Sequence, residues 1–150
     1  MPVAAAFGFG MLFQRARQKD LHVVTAGPIG FSTALLVFAP DRGMTFDEYF
    51  DVDDDTGEFD RLAAFLVGLT PRTRYLSYMD IKRADQGTGR APSLGLACHL
   101  CAGAAATEVL RILLERNPPK AAPHYAQFDA YLRKYFHGRL LFGNRNPIQR

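Results

Sequence analysis

Apolar residues in this chain fall into short blocks separated by Gly, Pro and Asp, and the spacing within each block predicts an element. Residues 11–19 read as the end of a helix, with Arg15, Arg17 and Lys19 in the last turn, where the helix dipole favours cations. Residues 21–26 are a nearly continuous β-branched and apolar run, which predicts a strand covered on both faces. Gly27, Pro28 and Gly30 then break the chain. A second strand is expected over 32–39, stopped by Pro40-Asp41-Arg42-Gly43. Thr45 with Glu48 three residues later is a capping-box pattern and opens a helical segment.

Asp51, Asp53, Asp54, Asp55, Glu58 and Asp60 lead into a helix over 59–69, their carboxylates at its positive end, and Pro71 closes it. Residues 75–79 predict a strand or extended segment, and the polar, Gly-rich stretch 82–89 a loop. The longest pattern is a packing helix over about 92–116, rich in Gly and Ala and stopped by Asn117-Pro118-Pro119. With Gly95, Ala97 and Ala102 to Ala106 along it, another backbone can approach closely. A strand over 123–131 carries Tyr125, Phe128 and Tyr131. The tail holds a hairpin signal at His137-Gly138 and ends in a Gly-Asn-Arg-Asn-Pro loop.

Length and composition place these elements in one domain spanning 1–150: 150 residues, 48% hydrophobic and 22% charged, are globular values. A formal charge of +3 without any Lys/Arg run gives nucleic-acid binding no support. Two cysteines make no disulfide framework, so a reducing, cytoplasmic home is expected. The apolar N-terminus precedes its basic residues, the wrong order for a secretory signal. The apolar stretch 94–114 includes His99, Glu108 and Arg111, which suits a buried helix better than a membrane span.

The chemistry-bearing motifs are sparse. Cys98-His99-Leu100-Cys101 supplies two of the four ligands a structural zinc needs, and no second CxxC exists. Small buried thiols are the preferred reading, with zinc shared across a dimer through Cys98 and Cys101 as the alternative. The acidic stretch 51–60 lacks EF-hand spacing and reads as a solvated helix start. There is no GxGxxG after a first strand, no GxxxxGK[ST] and no nucleophile elbow.

Three stretches together resemble the later part of the ThiF/MoeB/HesA domain, the adenylating domain of ubiquitin-activating-type enzymes. Residues 13–38, with Val23-Val24-Thr25-Ala26-Gly27-Pro28-Ile29-Gly30, are similar to its helix, strand, turn and following antiparallel strand. Residues 91–114 resemble its long helix, ending in Glu108-Val109-Leu110-Arg111-Ile112-Leu113-Leu114. Tyr125 to Asp129 and Arg145-Asn146-Pro147 resemble its terminal strand and loop. The segments 43–50 and 92–103 are similar to a bacterial subgroup, and the likeness covers about residues 12–150, leaving 1–12 atypical.

The resemblance implies an α/β fold: a truncated Rossmann-like domain with a mixed sheet and a long packing helix at about 92–116. It implies the C-terminal portion of an adenylyltransferase that activates the C-terminus of a ubiquitin-like or sulfur-carrier protein. ATP and magnesium belong to the completed enzyme only, because the family's Gly-rich nucleotide loop, its phosphate-contacting Arg and Lys and its magnesium-holding Asp have no counterpart here. Such a portion is expected to be inactive alone; the alternative is a non-catalytic dimerisation or binding module derived from the fold. The expected partners are the carrier protein and either a homo-oligomer mate or a separate N-terminal half, without nucleic acid or membrane. The family's later CxxC is absent, and its reactive-cysteine role does not carry over to Cys98 or Cys101. No catalytic residue is assigned. Partner contacts are expected at the turn after the first strand (Thr25, Gly27, Pro28, Gly30) and in the loop before the long helix (Arg90, Pro92, Ser93), because strand ends are where α/β ligands sit. An exposed sheet edge is also expected, to be covered by a partner, a dimer mate or segment 1–12.

Overall fold

The computed structural model describes residues 5–79, 94–117 and 119–147, with the side chains of 5–9 left out. Helix α1 (Ala5–Gln18) leads into strands β1 (Val23–Ile29) and β2 (Ser32–Phe38). Helices α2 (Phe46–Phe50) and α3 (Glu58–Leu69) follow, then a 3-10 turn over Thr73–Ser77. Helix α4 (Gly95–Leu113) precedes strands β3 (His124–Asp129) and β4 (Lys134–Arg139), and a second 3-10 turn covers Gly143–Arg145.

The four strands form one sheet in the order β1-β2-β3-β4, antiparallel at every pairing. The α/β expectation holds, but the described sheet is antiparallel rather than mixed. β2 and β3 are neighbours although residues 39–123 separate them; Ser32 pairs with Asp129 and Leu36 with Tyr125. Because side chains alternate, Ala34, Leu36 and Phe38 share one face with Tyr125, Gln127 and Asp129. That face holds the core: Phe13 of α1, Phe46, Tyr49 and Phe50 of α2, and Leu69 of α3 pack on it in an aromatic cluster. The Thr45–Glu48 capping box forms as the spacing predicts. Gly27 lets Leu69 settle on β1: a Cβ there would stand 2.3 Å from Leu69 Cδ2.

Helix α4 crosses the opposite face over β1 and β2. It starts and stops close to the expected bounds, but it is not a buried helix. Only Ala97 and Cys101 are fully covered, while Leu96, Val109, Leu110 and Leu113 stay exposed. By length and composition alone it is long and apolar enough to cross a membrane.

Several local expectations are corrected. β1 is half-buried along its whole length, whereas β2 is the strand covered on both faces. Among the described residues β1 lies at a sheet edge, where Pro28, with no N–H to donate, is tolerated. The segment expected as a strand over 75–79 is a 3-10 turn running into Tyr78 and Met79. β4 runs through His137-Gly138, and the hairpin turns instead at residues 130–133, with Arg133 at φ 53°. The polar loop expected at 82–89 lies outside the described residues.

Candidate functional site

The carboxyl end of β1 is where the chain gathers its chemistry. Gly30 turns at φ 56°, and a Cβ there would stand 2.6 Å from Met79 Cε. The Leu94 amide donates to Gly30 O at 3.3 Å, so the residue after Ser93 is fixed beside the same turn. Of the predicted partner residues, only Gly30 occupies the turn. Thr25, Gly27 and Pro28 are strand residues of the β1 edge, because the ladder with β2 continues to Ile29↔Ser32. Arg90, Pro92 and Ser93 lie outside the described residues.

Next to Gly30 stands a polar cluster that sequence reasoning missed. Asp129, fully buried at the end of β3, accepts from Ser32 Oγ at 2.6 Å and Tyr78 OH at 2.7 Å, both on Oδ2. Its Oδ1 accepts from the Leu132 amide at 2.8 Å. A buried carboxylate is stable only when donors surround it, and short charge-assisted bonds of this kind are the strong ones. Burial first, and the Asp129 carboxylate with it, push the Tyr78 phenol above its ordinary pKa, so it stays a donor. Deeper on the same face, Gln127 Nε2 donates to Arg72 O at 3.0 Å and Arg72 Nε donates to Tyr125 OH at 3.2 Å. These bonds fasten residues 70–79 across the sheet. Ser32 and Asp129 are sealed from solvent, so the cluster positions the chain around Gly30 and does not itself meet a substrate. Its one signal in the sequence is the polar pair Gln127 and Asp129 at alternate positions of an otherwise aromatic strand.

Cys98 is exposed and Cys101 buried, so only one of the two thiols fits the buried reading. Burial pushes the Cys101 thiol up, away from the thiolate a metal requires. No group of three or more His, Cys, Asp or Glu placed to hold a metal occurs among the described residues.

The terminal loop is tightly built. Asn144 Nδ2 donates to Phe50 O at 2.9 Å and Ala64 O at 2.8 Å, and Arg145 Nε reaches Asp51 Oδ1 at 2.6 Å. Gly143, at φ 56°, has no room for a side chain: a Cβ would stand 2.2 Å from Tyr49 O.

This geometry has relatives. The ThiF family model matches residues 10–147. No curated protein sequence matches the chain. Among solved structures, E. coli MccB with MccA-N7isoASN superposes at a TM-score of 0.54 and 10% identity, covering 96% of this chain and 38% of that one. E. coli MccB with AMPCPP and MccA gives 0.50 at 9% identity, covering 91% and 33%. Selenomethionine PaaA gives 0.51 at 14% identity, covering 86% and 38%. At such identities the likeness is one of fold, and the chain spans between 33% and 38% of those longer chains. With the family match running through every described element from α1 to the terminal loop, the chain belongs to the ThiF family.

Proposed function

We propose that this chain is the C-terminal portion of a ThiF-like adenylyltransferase that activates the C-terminus of a ubiquitin-like or sulfur-carrier protein with ATP, and that it is inactive without a nucleotide-binding unit. The observation that carries this reading is the unfinished side of the sheet. β1 has no partner on its outer edge among the described residues, and α4 stretches over it with its leucines uncovered. A sheet edge and an apolar helix face left open side by side fit a fold designed to continue.

Neither α2 nor α3 offers a triphosphate a site. α2 opens on a self-satisfied Thr45–Glu48 cap and α3 on Glu58 and Asp60, where phosphate needs bare amides. In this reading the nucleotide contacts belong to a complementary unit, in trans or elsewhere in a longer chain. The carrier protein meets this portion around the Gly30 turn at the carboxyl end of β1, which the buried cluster beside it holds in place. The MccB structures with AMPCPP and MccA support a nucleotide and a second chain in this fold.

The test is the thermal stability of the purified chain with and without millimolar magnesium-ATP, alongside ATP–pyrophosphate exchange. The expected result is no shift and no exchange; a clear upward shift overturns the reading, because only a formed site gains stability from its ligand. The terminal loop, locked by Asn144 and Arg145 into a rigid surface, favours a second reading: a non-catalytic binding module derived from the fold. Exchange activity restored by a nucleotide-binding unit would exclude that second reading.

A further inference from the structure

The CxxC of α4 plays no part in the site at Gly30, and its two sulfurs have unlike surroundings. Cys98 is the fourth residue of α4 and is exposed; Cys101, one turn on, is buried. Residues three apart on a helix share a face, with Cβ atoms about 5–6 Å apart. The start of α4 is already tightened. Ala97 N donates to Leu94 O, three residues back, at 2.9 Å, and Cys98 N to the same oxygen at 3.2 Å. No side chain caps that end. Carried one turn further, 3-10 winding eclipses Cys98 and Cys101 and closes their Cβ atoms to the about 4 Å that a disulfide needs.

The third member lies on the sheet. Thr33 of β2 is buried and faces α4, because its neighbour Ser32 turns to the core side to meet Asp129. Thr33 Oγ1 is buried without a hydrogen-bond partner, and the Cys101 thiol is the group beside it. A resting thiol is a weak acceptor, and a buried hydroxyl left unpaired costs free energy. A sulfur that turns anionic during a reaction is the acceptor this hydroxyl lacks.

We propose that Cys98 and Cys101 are a reversible dithiol–disulfide pair that exchanges with small-molecule disulfides, with Cys98 the attacking sulfur, Cys101 the resolving sulfur and Thr33 the hydroxyl that positions it. In the first step the Cys98 thiol gives its proton to water and Sγ attacks one sulfur of the external disulfide. That S–S bond breaks, a mixed disulfide forms on Cys98, and the expelled thiolate takes up a proton. In the second step Cys101 loses its proton while Thr33 Oγ1 donates to the sulfur, and Cys101 Sγ attacks Cys98 Sγ. The mixed disulfide breaks, the Cys98–Cys101 bond forms, and the second thiolate leaves and is protonated. Two thiols of the chain are oxidised and one external disulfide is reduced to two thiols. Burial of Cys101 fixes the order, because the external disulfide reaches only Cys98. The pair stands whether or not the adenylyltransferase reading does.

The test mixes the reduced full chain with oxidised glutathione under native conditions and follows it by mass spectrometry after acid quenching. The expected end product is a chain lighter by two hydrogens, with the Cys98–Cys101 bond located by peptide mapping, and dithiothreitol restores the starting mass. Cys101→Ala is expected to stop with one glutathione on Cys98, and Cys98→Ala to stay unmodified until denatured. Thr33→Val keeps the shape and removes the hydroxyl. It is expected to leave the first step unchanged and to slow the second about fivefold, so that the glutathione adduct accumulates on the way. A merely structural Thr33 would not separate the two rates. Unaltered circular dichroism shows that each variant folds, and the wild-type result stands without them. A wild-type chain that stops at the glutathione adduct, a disulfide that forms only between chains, or native Cys98→Ala that takes glutathione on Cys101 overturns the pair. Equal rates for Thr33→Val and wild type in the second step overturn the role of the hydroxyl.

Discussion

Ser32 and Asp129 stand 97 residues apart in sequence and 2.6 Å apart in space, hydroxyl to carboxylate. With Tyr78 they join β2, β3 and the segment after the first 3-10 turn at one buried point. Asp129→Asn keeps the shape but replaces an acceptor of two O–H donors with a group that also donates. It is expected to cost about 2–3 kcal/mol, the range for a broken hydrogen bond to a buried charged group, read as a lower urea midpoint at unchanged slope. Ser32→Ala is expected to cost less, about 1 kcal/mol, because Tyr78 and the Leu132 amide still serve the carboxylate. Equal losses for the two variants would show that the carboxylate is not the centre of the cluster.

Phe142 and Gly143 adjoin in the left-handed region and respond oppositely to substitution. Phe142→Gly relieves strain at an exposed site and is expected to raise stability by about 0.5 kcal/mol, the relief being partly offset by a freer unfolded chain. Gly143→Ala drives a methyl into Tyr49 O and is expected to destabilise by about 2 kcal/mol or more. Thermal melts of the two variants give the signs directly; a destabilised Phe142→Gly protein would mean the ring packs in solution.

The α2 cap carries a pH signature. The backbone hydrogen bond from Thr45, then its side-chain bond, hold the Glu48 carboxyl below its ordinary 4.5. A carboxyl lowered by folding stabilises above its unfolded pKa, and that stabilisation is lost as pH falls through the lower folded value. Wild-type stability is therefore expected to drop on acidification below about pH 4.5 more steeply than that of Glu48→Gln. At neutral pH, Thr45→Ala removes the cap itself and costs about 1 kcal/mol. Parallel pH profiles for wild type and Glu48→Gln would remove the carboxylate from the cap's energetics.

The two thiols of the CxxC are expected to part company. Cys98 is exposed on α4, whereas Cys101 is covered and its thiol is pushed up by burial. Iodoacetamide under native conditions should label Cys98 alone, with Cys101 labelled only in denaturant, as read by mass spectrometry. Equal native labelling would mean that α4 leaves the sheet in solution.

Local chemistry made much of this fold legible. The capping box at Thr45, the stop at Asn117 and the strands around Val23 and Leu36 all announce themselves within a few residues. What stayed hidden was decided at a distance. The β1 run looked doubly covered because apolar content does not reveal which strand is central; among the described residues β1 is an edge, and β2, with Ser32 and Thr33 in it, is the buried strand. Tyr75 to Met79 has strand-forming residues, yet Tyr78 is claimed by Asp129, and that bond draws the segment across the sheet instead of into it. His137-Gly138 looked like a turn because Gly is read as a breaker; here Gly138 makes room for Tyr125, whose hydroxyl would be 2.8 Å from a Cβ. At the candidate site, Gly30 was visible as a turn residue, but its company of Tyr78, Met79 and Leu94 was not.

The strand order has a consequence for how this chain reaches its native state. β1–β2 and β3–β4 are hairpins whose partners are close in sequence, and each can form early and alone. The β2–β3 pairing waits for everything between Phe38 and His124 to be in place. The sheet is thus two quick halves joined by one slow seam, and that seam is where loop-closure entropy is concentrated. Changes along it, at Ala34, Leu36, Tyr125 or Gln127, are expected to slow folding, and so are changes that weaken either hairpin turn, because both hairpins are already formed when the seam closes.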